Sequence, residues 1–460
     1  MSGINFVGEF ELQEIKLTSV QGNILNFISD VNLVAVDIFE NIFKTGITGS
    51  IVFADTNNFV ENMPIIGQER LTFKAATPSF TNKEDIIDFT ETPFIVYKIQ
   101  KNEDLSANAN LVQLLFTSEE TITNYRKRIS KSYTDSVDNI VEDILTNELL
   151  INTNKEIDIE PTVGNRRIVV PNVQPFQLIK RLARESISKR NDGSPHFLFF
   201  ENKNGYNFKT LQDLYKQDVK QLYNLSDKRG DPKEEDLGQE YARMVQFTLT
   251  ANKDLIKNTF TGMLGSKLTT HDIYNKNYEV FDYGYFNNFR DFDRIEENPV
   301  YSETIVDFQN NTLGDFENSK LFLHPTSTTT DYLDAQHYTP ENQTQFTSNK
   351  SHTWMQDRMN RMAEYKNGIT ASMTVHGMTS LTVGDMIDIS IPSLPSDKED
   401  AYYSGKYLIT ALRHSFAVPE KTHLIDMIVK RDSISSTLPA LTPRQQGQLG
   451  GKGYRGGYGF

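Results

Sequence analysis

The feature that most constrains this chain is an echo between its two ends. Ile47 opens ITGSIVF, and a loop later comes PIIGQERLTF with Gly67 at the corner; Ile369 opens ITASMTV, and a loop later comes LTVGDMIDIS with Gly384 at the corner. Each copy reads as a strand, a loop, and an apolar-x-Gly corner that leads into a second alternating strand. Ile47 to Gly67 spans 20 positions and Ile369 to Gly384 spans 15, so the copies differ in loop length. Two copies this far apart predict two similar β-barrels in one chain, not a tandem solenoid. A ring of such chains would present twice as many similar barrels as subunits.

The rest of the chain divides around that echo. Residues 1–118 read as the first barrel, from short alternating runs such as Val31, Leu33, Val36 and Ile38, then Ile51 and Phe53, then Leu71 and Phe73. Residues 119–205 read as an inserted α/β domain. A basic cluster at Arg126, Lys127, Arg128 and Lys131 reads as the solvated approach to a helix with Val137, Ile140, Val141, Ile144, Leu145 and Leu149 on one face. Thr134, Asp135 and Ser136 supply its cap chemistry. A strand at RIVVPN leads to a second helix with Pro175 in its first turn and Phe176, Ile179, Leu182, Ala183 and Ile187 inward. Phe197–Phe200 then pairs with Tyr206–Phe208 across Asn204-Gly205. Residues 206–365 form a β-rich middle region with a polar loop (228–237) and a Thr, Gln and Asn-rich connector. It ends in a helix capped by Thr353 that should turn Trp354, Met355, Met359 and Met362 toward the core. Residues 366–435 form the second barrel unit and 436–460 a flexible Gly-rich tail.

Catalytic motifs are missing. Gly451, Gly453 and Gly456 spell GxGxxG, but no strand precedes them and no helix follows. P-loop, HExxH and GxSxG patterns do not occur. The chain has no cysteine, which excludes disulfides, thiolate metal sites and cysteine nucleophiles. His414 and His423 read as structural histidines on neighbouring strands rather than metal ligands. The acidic pairs Glu119-Glu120, Glu234-Glu235 and Glu296-Glu297 could build a glycosidase dyad, but each lies in a polar segment with the look of a solvated surface. Neither a cofactor nor a metal is expected. The aromatics interleaved with acids at 278–294, Tyr283 and Tyr285 among them, read either as inward-packed β structure or as a sugar-binding platform. No apolar run reaches the ~18 residues of a membrane span, and the start shows no basic-then-apolar leader. The formal charge of −14 has the wrong sign for a sequence-reading nucleic-acid binder.

With enzymatic motifs absent, the ordered strand motifs carry a resemblance. SIVFADTNNFVENMPIIGQERLTF resembles the first barrel of baseplate hub proteins from contractile-tailed bacteriophages. LLFTSEETITNYRKRISKSYTDSVDNIVEDIL looks like that family's junction into its inserted domain, RIVVPNVQPFQLIKRLARES like its second helix, and HFLFFENKNGYNFKTL like the following hairpin. TVHGMTSLTVGDMIDISIP with YYSGKYLITALRHSF resembles the second barrel. The matches keep their order over about residues 10–432.

The resemblance implies a non-enzymatic homotrimer whose tube-like barrels form a ring of pseudo-six-fold symmetry, related in architecture to type VI secretion spike proteins. Such a ring joins a trimeric cell-puncturing spike to a hexameric tail tube or tube-initiator protein. It contacts baseplate wedge components and encloses a channel for the tape-measure protein and then DNA, without specific DNA binding or stable membrane insertion. It belongs in the virion tail baseplate and is assembled in the bacterial host cytoplasm. Two rival readings are a tail-borne cell-wall hydrolase and a carbohydrate-binding module. The net charge suggests an acidic channel lining. The tail from about Ala440, with Arg444, Lys452, Tyr454, Arg455, Tyr458 and Phe460, is expected to order against a partner, the spike or a neighbouring subunit.

Overall fold

A computed structural model describes residues 6–56, 59–63, 65–78, 82–106, 109–191, 193–225, 237–251, 254–273, 276–303, 311, 313, 319–326, 351–393 and 399–436. The first strands are β1 (Glu11–Thr18), β2 (Ile24–Asn26), β3 (Asn32–Asn41), β4 (Thr48–Asp55), β5 (Arg70–Ala76), β6 (Ile87–Asp88), β7 (Phe94–Ser106) and β8 (Ala109–Ser118), with a short α1 (Phe59–Asn62) between β4 and β5. Their order is β3-β4-β8-β7-β5-β1-β2, antiparallel throughout, with β6 on β5. Alternation sends Ile15, Ile38, Phe53, Phe73, Val96 and Phe116 to one side, where they form a single core. Each such side chain contributes about 1.5–3 kcal/mol by leaving water.

The pattern then changes to helices: α2 (Glu119–Arg126), β9 (Ser132–Ser136), α3 (Val137–Thr146), β10 (Glu156–Ile159), β11 (Asn165–Val169), α4 (Pro175–Glu185), β12 (Phe197–Asn202) and β13 (Gly205–Thr210). The anticipated hairpin is present. Asn202 pairs with Gly205, whose φ of 142° suits glycine, and Asn202 Oδ1 accepts from the backbone N–H groups of Asn204 and Gly205. The inward faces of α3 and α4 pack on Phe197, Phe199, Tyr206 and Phe208 as a separate core. The α3 cap differs from the sequence expectation. Ser136 makes no side-chain cap; Thr162 Oγ1 accepts from Val137 and Asp138 N–H at 3.1 and 3.3 Å instead. A tertiary cap displaces the local one because Asp138 holds the Thr162 hydroxyl at 2.6 Å. Leu149 lies beyond the helix end and is exposed.

The remaining elements are α5 (Leu211–Tyr215), β14 (Val219–Asn224), α6 (Leu237–Tyr241), β15 (Met244–Ala251), α7 (Leu255–Thr261), β16 (Gly265–Asp272), β17 (Asn277–Gly284), β18 (Asn298–Pro299), β19 (Leu321–Thr326), α8 (Arg358–Asn367), β20 (Ile369–His376), β21 (Met386–Ser390), β22 (Gly405–Ala417), β23 (Thr422–Arg431) and β24 (Ser433–Ile434). A small sheet β17-β16-β19 stands apart, and β18 pairs with β24. The others run β15-β20-β23-β22, with β21 and then β14 beside β22. Because β22 also pairs with β3, both halves belong to one 14-stranded sheet over two distinct cores. The fold is mainly β, with large antiparallel sheets.

The echo extends into topology. The order β3-β4-β8-β7-β5-β1 is repeated as β15-β20-β23-β22-β21-β14, six strands for six. Irregularities repeat as well: β3 is bulged between Leu33 and Ala35 and β15 between Met244 and Gln246, while β7 is bulged between Val96 and Lys98 and β22 between Ile409 and Ala411. A bulge adds one residue and bends its strand, so matching bulges give the two units matching curvature. One difference stands out: β1 runs antiparallel to β5, whereas β14 runs parallel to β21.

Both echo corners need glycine. Gly67 has φ of 88° and Gly384 of 92°, a left-handed conformation that costs other residues roughly 1–2 kcal/mol. A Cβ at Gly384 would stand 3.4 Å from the Phe200 ring, and one at Gly67 3.5 Å from the Tyr97 carbonyl oxygen. Gly384→Ala and Gly67→Ala should therefore each cost about 1–2 kcal/mol. Thermal melts check this, and unchanged melting for both would refute the corner argument.

Candidate functional site

Two buried polar joints hold the duplicated units to the helical segment between them, and a third lies within the second half of the chain. The first lies at the tip of the β12–β13 hairpin. Lys203 Nζ donates to the carbonyl oxygens of Glu84 (2.6 Å), Thr379 (2.6 Å) and Ser380 (2.9 Å), so one ammonium clips loops from both units. Beside it, Thr77 and Thr379 exchange backbone N–H to hydroxyl bonds at 3.0 and 3.1 Å. Glu40, at the end of β3, accepts from the Thr382 hydroxyl and from Val383 N–H at 3.1 Å. Burial pushes Glu40 up to about 7 against the pull of Thr382, Val383 and Lys203. It also pushes Asp385 up to about 6 and pulls Lys203 down to about 8.

The second joint centres on Glu201 in β12. Its carboxylate accepts from Ile47 N–H (2.9 Å), the Ser118 hydroxyl (2.9 Å) and Lys155 Nζ (2.6 Å). Lys155 also reaches Glu120 at 2.7 Å, with all three side chains almost fully enclosed. Burial alone would lower the Lys155 pKa, but the Glu201 and Glu120 carboxylates outweigh it and hold it above the ordinary value. Burial raises Glu201. Glu120 and Lys155 also line a cleft of about 630 Å³, together with Arg70, Glu119, Arg126 and Lys127.

The Glu119-Glu120 pair is therefore not simply solvated surface. Glu119 meets Arg70 at 2.7 Å in water, while Glu120 turns inward as one member of a structural ion triad. Of the other acidic pairs, Glu296 accepts from Lys406 N–H at 3.3 Å, and Glu234-Glu235 lies outside the described residues. In the basic cluster Lys131 pairs with Asp143 at 3.0 Å.

The third joint lies under α8, at the end of the second unit that corresponds to Ile47 and Ser118 in the first. Arg361 bridges Glu364 (2.7 Å) and Asp432 (2.6 Å), Arg294 also pairs with Glu364, and all four side chains are at most 4% exposed. Burial pushes Glu364 up to about 8 despite Arg361. Burial opposes the charge on Arg361 too, but Asp432 and Glu364 more than compensate and raise its pKa.

The orientation of α8 corrects the sequence reading. A π-helical turn (His352–Asp357) precedes it, and the buried face is polar, with Gln356, Asn360, Arg361 and Glu364 alongside Tyr365. Met359 is 45% exposed. Gln356 and Asn360 are drawn inward because they donate to Ser266 on β16.

The centre of the aromatic stretch packs inward, while Tyr278 at its start is exposed. Tyr283 is 6% exposed and Tyr285 fully buried among Phe289 and Tyr301. That removes the two rings on which the carbohydrate-platform reading rested. His414 and His423 sit on β22 and β23 with Nδ1 and Nε2 3.0 Å apart, stacked on Phe416. Burial lowers both, His423 to about 3, so the pair is neutral and one imidazole donates to the other. Among the described residues no three His, Asp or Glu side chains converge as a metal site, and no helix is long and apolar enough to cross a membrane. The contact residues expected in the tail, Arg444, Lys452, Tyr454, Arg455, Tyr458 and Phe460, lie outside the described residues.

The joint residues Lys203, Glu201, Lys155, Glu40, Arg361 and Asp432 were not singled out by the sequence. A signal existed: Glu40 and Glu201 interrupt apolar runs, DIFEN and FLFFEN, where an acid needs a partner.

The duplicated sheet with its helical segment is a fold shared with solved tail proteins. The chain superposes on the tail protein from Neisseria meningitidis MC58 with a TM-score of 0.51 at 8% identity, covering 92% of this chain and 97% of that one. It matches the 43 kDa tail protein of prophage MuSo2 from Shewanella oneidensis with a TM-score of 0.51 at 10% identity, over 92% and 100% of the two chains. No protein-family profile and no curated protein sequence matches it.

Proposed function

We propose that this chain is the central hub of a phage tail baseplate, a homotrimer joining a three-fold cell-puncturing spike to a six-fold tail tube. The observation that carries this reading is the repeated six-strand order with its repeated bulges. Three chains with two like units each offer six similar modules, and the antiparallel-to-parallel switch at β14 keeps them only approximately equivalent. Such a ring is three-fold in its chains and nearly six-fold in its sheets, which is the geometry an adapter needs. The buried joints fit a part that bears load: Glu201 and Lys203 tie the helical segment to the units by buried hydrogen bonds, backed by the enclosed ion pairs of Lys155 and Arg361.

On this reading the partners are the spike, the tube or its initiator, wedge components and the tape measure, with DNA passing through the channel. The net charge of −14 suits a wall past which phosphate must slide, and acidic lumen side chains are part of the proposal. The tail residues from Arg444 to Phe460 are proposed to bind the spike or a neighbouring subunit. Native mass measurement tests the central claim. A species at three times the 52.6 kDa chain mass is expected, and a stable monomer at high concentration overturns it.

A further inference from the structure

We propose that the outer edge of β15 docks a second copy of this chain, pairing antiparallel with the part of β7 beyond its first bulge. Among the described strands of one chain the two units meet along one pair of edges, β3 of the first against β22 of the second. In the repeated strand order β15 is the counterpart of β3, and β7 is the counterpart of β22. The joint made inside the chain therefore has an equivalent, β15 against β7, that one chain cannot make with itself.

The details of both strands agree. On β22 the neighbour β21 covers Gly405–Leu408; after the bulge, β3 takes over and covers Ala411–Ala417. On β7 the neighbour β5 covers only Phe94 and Ile95; after the corresponding bulge, residues from Lys98 onward pair with β8 alone among the described residues. β15 likewise pairs with β20 on one side and with no described strand on the other. Its sequence MVQFTLTA has no charge and no proline, and Val245 is 54% exposed. Edge strands that stay free are normally guarded by lysine, proline or inward charge, and this one lacks each of them. A dedicated partner strand is the alternative to guarding.

The register follows from the internal joint. Ser50 and Ser372 occupy the same place in the echo and pair with Asp37 and Thr248, so Thr248 stands where Asp37 does. Leu111 and Leu424 are likewise equivalent and pair with Glu103 and Ser415. The internal pair Ser415↔Asp37 thus becomes Glu103↔Thr248 between copies, and Arg413↔Phe39 becomes Lys101↔Thr250. Because different strands meet, the contact is head-to-tail and closes into a ring instead of a two-fold dimer. The closure at three copies rests on the hub reading; the edge pairing itself does not.

The absence of cysteine makes a clean test, since introduced pairs are the only thiols. Directly paired antiparallel residues have Cα atoms about 4.5–5.5 Å apart, within disulfide reach. The full chain carrying Glu103→Cys with Thr248→Cys, or Lys101→Cys with Thr250→Cys, is oxidised with copper-phenanthroline and compared on non-reducing gels. Covalent dimers and trimers are expected at a yield at least about ten-fold above Glu103→Cys with Leu249→Cys, a pair one position out of the proposed register. An oligomer in native mass measurement that neither in-register pair cross-links overturns the edge pairing alone. Cross-linking in an assembly that is not a trimer keeps the edge pairing and overturns the hub stoichiometry. A chain that stays monomeric at high concentration without cross-links overturns both.

Discussion

Arg361→Met should destabilise the chain by about 3–5 kcal/mol, because it strands two buried carboxylates, Glu364 and Asp432, without their shared cation. Arg294 remains on Glu364, so the loss falls mostly on Asp432, which also accepts from Ile295 N–H at 3.3 Å and from the Ser433 hydroxyl at 2.7 Å. Adding Asp432→Asn keeps an oxygen for those two donors and removes the orphan charge. The double variant should therefore recover roughly 1–3 kcal/mol of the loss, a coupling expected only when the two side chains interact directly. Chemical unfolding of wild type, both single variants and the double variant measures it. Simple additivity would mean that the joint is not a functioning ion pair.

Lys203→Met should show a loss that depends on pH. The variant leaves three carbonyl oxygens without their donor and deprives Glu40 of its nearby cation. Glu40 has a folded pKa of about 7, above its ordinary 4.5; its favourable contribution is complete below about 4.5 and is lost as pH rises through 7. Asp385, raised to about 6 from 3.8, behaves the same way over a lower window. Lys203, lowered to about 8 from 10.5, contributes fully above 10.5 and loses that contribution as pH falls through 8.

At pH 5 Glu40 is therefore neutral in the folded wild type, and the Lys203 charge has little to balance. At about pH 7.5, between the two values, the carboxylate is mostly charged and Lys203 still mostly protonated, so the pair is in force. The loss on Lys203→Met should be about 3–5 kcal/mol at about pH 7.5 and roughly half that at pH 5. Urea midpoints at the two pH values decide it, and an equal or larger loss at pH 5 would contradict the sign.

Much of the fold was legible because it is written in local periodicity. The strand–corner echo, the Asn204-Gly205 hairpin and the apolar faces of α3 and α4 depend on spacing within a dozen residues. The errors share a cause. Met355, Met359 and Met362 mark an apolar stripe, and Met362 does pack against the second unit's core, yet Met359 is exposed because α8 turns its polar face inward, where Arg361 finds Asp432, its partner from β23's end, 71 positions later. The α3 cap comes from Thr162, not from the adjacent Ser136, for the same reason. Glu120 looked solvated until Lys155 closed over it. Charge and hydrogen-bond complementarity between distant segments leaves no mark on spacing, and the joints are made entirely of it.

The seam between β3 and β22 also sets a clock for the chain's manufacture. Arg413 and Asp37, which pair across it at 3.0 Å, are 376 positions apart. At a synthesis rate of roughly 5–20 residues per second, β3 emerges from the ribosome roughly 20–75 seconds before the strand that covers it. During that interval the first unit carries an open edge of its own. Its partner is among the last structured elements to be made, so the molecule can complete its sheet only when nearly all of it exists. An incomplete chain presents a raw edge where the finished one presents a seam.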